Sequence, residues 1–289
     1  MRVAHILKTT GLSGAESHLL TLSGGLLAEG WESRLIVLAD QRRPPTALIE
    51  AARAANVQID AVPLAGDLDI AAAPKIAALL KSARTQIVHT HMIHGDLYGT
   101  LAARMAGIAV VQSRHNDDKF RRRWVVRLLT RWLAGQAKTV IAISDSLATF
   151  ARDVEGVPGS KIVRIHYGLD PAQVTAKARP EALRVELGLN DDAPLIGAVG
   201  RLTEQKGFRY LLEAFAIIRG SLPQAQLVIA GDGELRSTLE AQKGNNVHFL
   251  GWRSDAPSLM AGLDVLAVPS LWEGFGLVTL EAMALSKPV

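Results

Sequence analysis

Residues 263–284 read LDVLAVPSLWEGFGLVTLEAMA. An apolar run of strand type, 263–268, stops at Pro269, and a helical pattern begins at 276. Between them Gly274 and Gly276 let the backbone pass close to a ligand and place several N–H donors at a helix start. Glu273 stands just before that helix, and Glu281 follows eight residues later, about a turn and a half into it. Strand, Gly-rich turn and helix in this order is the unit of an α/β fold, where ligands bind beyond the C-terminal ends of strands. A plainer reading makes Glu273 a partner of the helix dipole and Glu281 a solvated helix residue. A glycosidase pair would need both carboxylates to flank one bond, and the Gly-rich, phosphate-type surroundings argue against it.

The same rhythm extends toward the N-terminus. Strands are predicted at 194–200, 225–230, 247–250 and 263–268, with helices at 207–219, 233–242, 255–261 and 276–285. The series stops at Ser286-Lys287-Pro288-Val289, where the next strand is due. A parallel sheet abandoned there would leave unpaired backbone groups, so the expectation is a chain truncated within its second domain. An earlier series has strands at 2–7, 33–38, 57–62, 86–90, 109–113, 138–143 and 161–166, and helices at 14–28, 46–55, 71–83, 96–106 and 120–134. Both series predict parallel sheets with helices on both faces. The polar stretch 167–193, with Pro171, Pro180 and a short helix near 180–187, breaks the rhythm and reads as a linker. The expected division is therefore a domain over 1–170, a linker over 171–193 and an incomplete second domain over 194–289.

A chain of 289 residues can bury two such cores. Its apolar fraction of 48% and charged fraction of 21% are ordinary for a soluble protein. There is no cysteine, which rules out disulfides and thiolate metal sites and fits a reducing compartment. The apolar run at the N-terminus is too short for a secretory signal, and no stretch of about 18 apolar residues occurs. A soluble, cytoplasmic protein is expected.

The net charge of +4 is mild but uneven. Through Asp170 there are 21 Lys and Arg against 15 Asp and Glu; beyond it, 11 against 13. Six of the cations lie between Lys119 and Arg131. This segment reads as a helix with Phe120, Trp124, Val125, Leu128, Leu129, Trp132 and Leu133 on one face and the cations mostly on the other. One reading is a core-packed helix with a solvated basic face. The other is attraction to anionic lipid headgroups, a peripheral membrane contact through 119–131 on the inner face of a plasma membrane. Nothing in the charge pattern implies a nucleic-acid partner.

Two further turns carry candidate chemistry. Thr10-Gly11-Leu12-Ser13-Gly14-Ala15-Glu16 joins a strand to a helix and could hold an anion on its N–H groups. Small residues for a tight turn, with Ser13 as helix cap, would explain it equally. It is not the GxGxxG fingerprint of a dinucleotide dehydrogenase. Gly200-Arg201-Leu202-Thr203-Glu204-Gln205-Lys206-Gly207 follows the first strand of the second series. There Arg201 offers a planar fork and Lys206 a mobile ammonium, a pair suited to a diphosphate. Two solvated surface cations are the alternative.

Taken together, these motifs resemble glycosyltransferase family 4, of the GT-B fold, over nearly the whole chain. The resemblance rests on Arg201 with Lys206, on Glu273 and Glu281 within PSLWEGFGLVTLEAMA, on Gly231-Asp232-Gly233 and on Phe249-Leu250-Gly251. It implies two Rossmann-like domains whose parallel sheets face a central cleft. It also implies a retaining transfer of sugar from a nucleoside-diphosphate donor to a glycan, lipid-linked or small-molecule acceptor, as in cell-envelope polysaccharide or glycolipid synthesis. In such enzymes the Arg/Lys pair holds the diphosphate, the first Glu grips donor-sugar hydroxyls and the second grips the ribose. The implied catalytic residues are Glu273, Arg201, Lys206 and His115; the implied donor-binding residues are Gly14, Arg201, Lys206, Gly233, Trp252, Gly274, Phe275, Gly276 and Glu281. His115, in Gln112-Ser113-Arg114-His115-Asn116-Asp117, fits the histidine that these enzymes point at the donor sugar. Two positions depart from the pattern: Ser13-Gly14 replaces a Gly-Gly pair, and Tyr167 stands where an Asn-Gly-x-Asp turn has its Asn.

The resemblance implies no cofactor and no metal. His89-Thr90-His91, with His94 nearby, puts two imidazoles on one strand face, but with no acidic companion except Asp96. Asp67-Leu68-Asp69 is a DxD, the manganese motif of another transferase fold, here in a loop of the wrong domain. Two other readings share these features: a nucleotide-sugar 2-epimerase of the same fold, and a non-catalytic two-domain ligand-binding protein. Product formed only when acceptor is present would separate transfer from both.

Overall fold

The computed structural model describes every residue except Thr10, Ser13, Gln41, Arg43, Asp67, Ile70 and Asp191, and at Lys119 the backbone alone. The chain divides into two compact units, Met1–Gly168 and Leu169–Val289.

In the first unit the strands are β1 (Arg2–Lys8), β2 (Glu32–Asp40), β3 (Gln58–Leu64), β4 (Ile87–His91), β5 (Ala109–Arg114), β6 (Thr139–Ala142) and β7 (Ile162–Arg164). They form a parallel sheet in the order β3-β2-β1-β4-β5-β6-β7. The connecting helices are α1 (Gly14–Ala28), α2 (Thr46–Ala54), α3 (Ala72–Ser82), α4 (Met92–Ala106), α5 (Trp124–Gln136) and α6 (Asp145–Asp153). Successive strand side chains face opposite ways. Ile36 and Leu38 thus join one core with Ile76, Leu80 and Tyr98, while Leu35 and Val37 join the other with Leu19 and Leu48. Burial on both faces is why the strands read as nearly continuous apolar runs. Helix α4 lies hard against β1 because Gly95 has no side chain: a Cβ there would sit 2.4 Å from the Ile6 carbonyl oxygen.

In the second unit the elements are α7 (Pro171–Ala176), α8 (Pro180–Leu187), β8 (Leu195–Val199), α9 (Phe208–Ser221), β9 (Gln226–Ala230), α10 (Arg236–Ala241), β10 (Val247–Gly251), α11 (Ala256–Ala261), β11 (Val265–Leu266) and α12 (Leu277–Ala284). The sheet is parallel in the order β10-β9-β8-β11. Phe208, Leu212 and Phe215 of α9 cover one face with Leu227 and Ile229. Leu259, Met260 and Ala282 cover the other with Val228 and Leu266. Each sheet therefore reverses its strand order once beside its first strand, at β1/β4 and at β8/β11. Such reversals open a crevice at the strand C-termini.

Three expectations change. The stretch expected to link the domains, 171–193, carries α7 and α8, which pack on α12 and α11 and belong to the second unit. Helix α6 lies where no helix was expected; the Ser144 side chain accepts a bond from Leu147 N and caps it. The helix expected over 120–134 is broken. A 3-10 turn spans Lys119–Arg122, Arg123 is extended, and α5 starts at Trp124. Its buried side is Thr130, Leu133 and Ala134. Of the expected core face only Leu133 is fully buried; Trp124 is 73%, Leu128 59% and Trp132 45% exposed. Arg121, expected among solvated cations, is buried. Among the described residues no helix is long and apolar enough to cross a membrane.

Candidate functional site

At the β8/β11 reversal four loops are stitched together by backbone. After β8 the chain makes a 3-10 turn, Glu204–Lys206, closed by Gly207 in the left-handed region. A Cβ on Gly207 would fall 2.2 Å from the Pro269 carbonyl oxygen, so only glycine lets this loop touch the one after β11. Leu271 N donates to Gln205 O (2.8 Å), and the Gln205 side-chain amide donates to Trp272 O (3.0 Å). On the other side Leu202 N donates to Asp232 O (2.9 Å), and Gly231 N donates to Gly251 O (2.7 Å). Sequence spacing could only place these motifs at strand ends; the structure joins them along one sheet edge.

Lys206 and Glu273, 67 residues apart, meet there: Lys206 Nζ lies 2.5 Å from Glu273 Oε1. The same oxygen accepts a bond from Ser270 Oγ (2.6 Å). Arg201, on the same loop as Lys206, is exposed. Gly276, in the left-handed region, turns the chain into α12; Gly274 is buried and Phe275 half-buried just before it. Glu281 is half-buried, and burial raises its carboxyl above the usual glutamate value. The turn after β10 leaves Trp252 exposed, while the Arg253 guanidinium forks between Glu186 and Asp255. Gly233 follows β9, where a Cβ would sit 2.5 Å from the Leu202 carbonyl oxygen. The expected second-unit residues thus occupy loops after the strands, except Glu281 within α12, with Lys206 and Glu273 in direct contact.

The first unit concentrates imidazoles at the β1/β4 reversal. His5 is the register partner of His89, and His91 ends β4. His115 follows β5 and uses both ring nitrogens: Nε2 shares a hydrogen bond with His91 Nδ1 (2.8 Å), and Nδ1 bonds the Tyr167 hydroxyl. His91 Nε2 in turn faces His5 Nδ1 at 3.2 Å. His18 of α1 stacks on the Tyr167 ring, centroids 3.8 Å apart. Burial holds His5 and His115 neutral, pushed down to about 3, and His18 to about 4. A sequence reading of His89, His91 and His94 missed His5, which a strand pairing brings in; His94 is not part of the group.

Arg114, the residue before His115, enters a buried ion network. Arg114 reaches Asp96 (2.9 Å) and Glu155 (2.6 Å), and Arg121 reaches the second Glu155 oxygen (2.6 Å), all four residues being buried. Burial alone would raise the Glu155 carboxyl, but the two guanidiniums outweigh it and hold it below its usual value. Asp96 also accepts from Thr90 Oγ1 (2.6 Å). Sequence reasoning did not find this network, because its members come from distant segments. Gly14 opens α1, and Thr9 Oγ1 with Gly11 N (3.2 Å) holds the turn before it. Thr10 and Ser13 of that turn lie outside the described residues, as does Asp67 of the DxD. Asp69 accepts from the amides of Ala65 and Ala71, both at 3.0 Å.

Two parallel α/β units of this kind define a GT-B fold. Over 100% of this chain and 80% of the other, the structure matches Anabaena Alr3699/HepE in complex with UDP and glucose, with a TM-score of 0.84 and 23% identity. WaaG, a glycosyltransferase involved in lipopolysaccharide biosynthesis, matches over 99% of this chain and 80% of its own with a TM-score of 0.73 and 20% identity. Residues 180–289 match Glycosyl transferases group 1, and residues 12–173 match Glycosyltransferase Family 4. The chain belongs to glycosyltransferase family 4. It is 32% identical over 225 residues to the UDP-Gal:alpha-D-GlcNAc-diphosphoundecaprenol alpha-1,3-galactosyltransferase of Escherichia coli, covering 73% of this chain and 58% of that protein. It is 27% identical over 290 residues to the phosphatidyl-myo-inositol mannosyltransferase of Propionibacterium freudenreichii subsp. shermanii, covering 96% of this chain and 72% of the relative. It spans between 41% and 58% of the length of several other curated relatives and the galactosyltransferase.

Proposed function

We propose that this protein transfers a sugar from a nucleoside-diphosphate donor to an acceptor with retention of the anomeric configuration, and that uridine-diphosphate sugars are its donors. The observation that carries the reading is the Lys206–Glu273 pair beside exposed Arg201 at the β8/β11 edge. A diphosphate arriving there competes with Glu273 for the ammonium. Glu273, released, is free to accept from sugar hydroxyls, while Glu281 accepts from the ribose. Fixed cations aimed at the leaving oxygen stabilise the charge that develops on it. The leaving diphosphate takes the proton of the attacking acceptor hydroxyl on the same face. Because Arg201 and Lys206 neutralise the diphosphate, that step needs no metal. The test is a panel of nucleotide sugars read by thermal shift, then turnover with labelled donor, with and without acceptor. Transfer unaffected by added magnesium or manganese is expected. Donor turnover without acceptor would favour an epimerase, and binding without turnover a binding protein.

The acceptor side of the reading is a lipid surface. Helix α5 turns Trp124, Val125, Leu128 and Trp132 outward, with Arg122, Arg123, Arg127 and Arg131 exposed around them. Aromatic and aliphatic side chains among arginines fit the interfacial layer of an anionic membrane. Two relatives act, by their names, on diphosphoundecaprenol-linked and phosphatidyl-linked acceptors. Sedimentation with phosphatidylglycerol vesicles is expected, weakened at high salt and by Trp124→Ser with Leu128→Ser. Equal sedimentation of that double variant would remove the docking role of α5.

A further inference from the structure

We propose that His5, His89 and His91 form a binding site in the first unit for one divalent ion of the zinc class. One ring nitrogen from each lies within 4.8 Å of the other two, and all three residues are buried. The cluster sits beside the β1/β4 reversal, where open α/β sheets gather ligands. The 3.2 Å between His5 Nδ1 and His91 Nε2 also suits two ligands of one tetrahedral ion. Nitrogens each 2.0–2.1 Å from zinc stand about 3.3 Å apart.

The surroundings fit ligation as well. A metal-bound imidazole usually has its other ring nitrogen held by a hydrogen-bond partner, as two of these three do. His89 Nε2 pairs with Ser113 Oγ (2.7 Å), leaving Nδ1 for the ion. His91 Nδ1 pairs with His115 Nε2 (2.8 Å), leaving its Nε2. His5 offers Nδ1, the atom facing His91, and its outer Nε2 is buried with no hydrogen-bond partner, so this ring alone of the three is not held from outside. Met92, directly after His91, has φ 62°, a conformation that L residues avoid and that persists where the surroundings over-determine it.

The donor set selects the metal. Three imidazoles with no carboxylate suit zinc and disfavour magnesium and calcium, which take oxygen ligands. The carboxylate of Asp96 is held by Thr90 and Arg114. Three protein ligands leave a fourth position for water or an oxygen of a small ligand. These ligands belong to the first unit and Arg201 and Lys206 to the second, and the proposal does not depend on the donor reading.

The test takes the full chain, freed of metal by dialysis against a chelator, and titrates it with zinc and with cobalt. One equivalent of each is expected to bind, with the intense visible bands of four-coordinate cobalt. The thermal midpoint should rise by roughly 5–10 °C at a hundredfold excess over Kd, and magnesium should not shift it. X-ray absorption of the zinc-loaded wild type should show nitrogen and oxygen neighbours at about 2.0–2.1 Å with imidazole scattering, a readout that needs no variant. His89→Gln should abolish tight uptake and His94→Gln should leave it unchanged. No stoichiometric uptake, no imidazole scattering, or equal uptake by a folded His89→Gln variant would each overturn the site. Donor affinity measured on the same samples reports on the second unit and distinguishes failure here from failure of the transferase reading.

Discussion

The two sheets reverse their strand order at equivalent places, yet they fill those places in opposite ways. Beside β1/β4 the polar groups are buried and bonded to one another: Arg114 to Asp96 and Glu155, His115 to His91 and Tyr167. Beside β8/β11 the charges lie at the surface, with Arg201 exposed and Lys206 and Glu273 half-buried. Burying a charge is costly unless it is paired, so the first arrangement holds the fold and barely changes without it being lost. The second costs little to keep open, because water solvates it until a ligand comes. The first unit spends its ions on shape, and the second keeps them for chemistry.

The strongest way to break this contrast is Arg114→Met. It removes the guanidinium paired with buried Asp96 and leaves Glu155 to Arg121 alone, and a loss of about 3–5 kcal/mol in urea unfolding is expected. A loss below about 1 kcal/mol, the size of an exposed pair, would show that the network is ornamental. The counterpart in the second unit is Lys206→Ala or Arg201→Ala. Each should lower turnover at least about tenfold through one charge-assisted contact of about 1.5–3 kcal/mol, with the unfolding midpoint little changed. Wild-type kinetics for both variants would end the diphosphate role.

A smaller effect sharpens the comparison. Burial raises the Glu281 carboxyl, so it loses its charge at a higher pH than an ordinary glutamate. An acid is charged above its pKa; affinity that depends on this carboxylate is therefore present at neutral pH and lost as pH falls through the raised value. Donor affinity by calorimetry should drop several-fold on mild acidification, and Glu281→Gln should flatten that profile at a weaker level. A profile identical in wild type and variant would take Glu281 out of the donor site.

The second unit was the more legible in sequence, because glycines punctuate its turns and each motif stands at the end of its own strand. Where the first unit was misread, the reasons are physical. Helix α6 carried its signals in plain view: Ser144 at the cap and Leu147, Phe150 and Ala151 at helical spacing. In the second unit Asp170 before Pro171 likewise caps α7 within the stretch that reads as linker. Helix α5 is different: Trp124, Leu128, Trp132 and Leu133 read as one stripe, and the core takes only Leu133 of these, with Thr130 and Ala134. Periodicity finds a stripe but cannot say which of its residues face inward. The joining of His5 to His89 and His91, and the Arg114 network, were beyond reach for a third reason: β1, β4 and β5 must pair before their members become neighbours.

The glycines of the second unit have a consequence for anyone who wants to retrain this protein by directed evolution. Gly207, Gly231 and Gly233 each face a carbonyl oxygen of an adjoining loop, at 2.2, 1.8 and 2.5 Å from where a Cβ would be. A randomised library covering these positions would be mostly dead clones, whatever donor it was screened on. Diversity is better placed at Trp252 and Leu271, which are exposed on the turns after β10 and β11 and leave the loop seams intact.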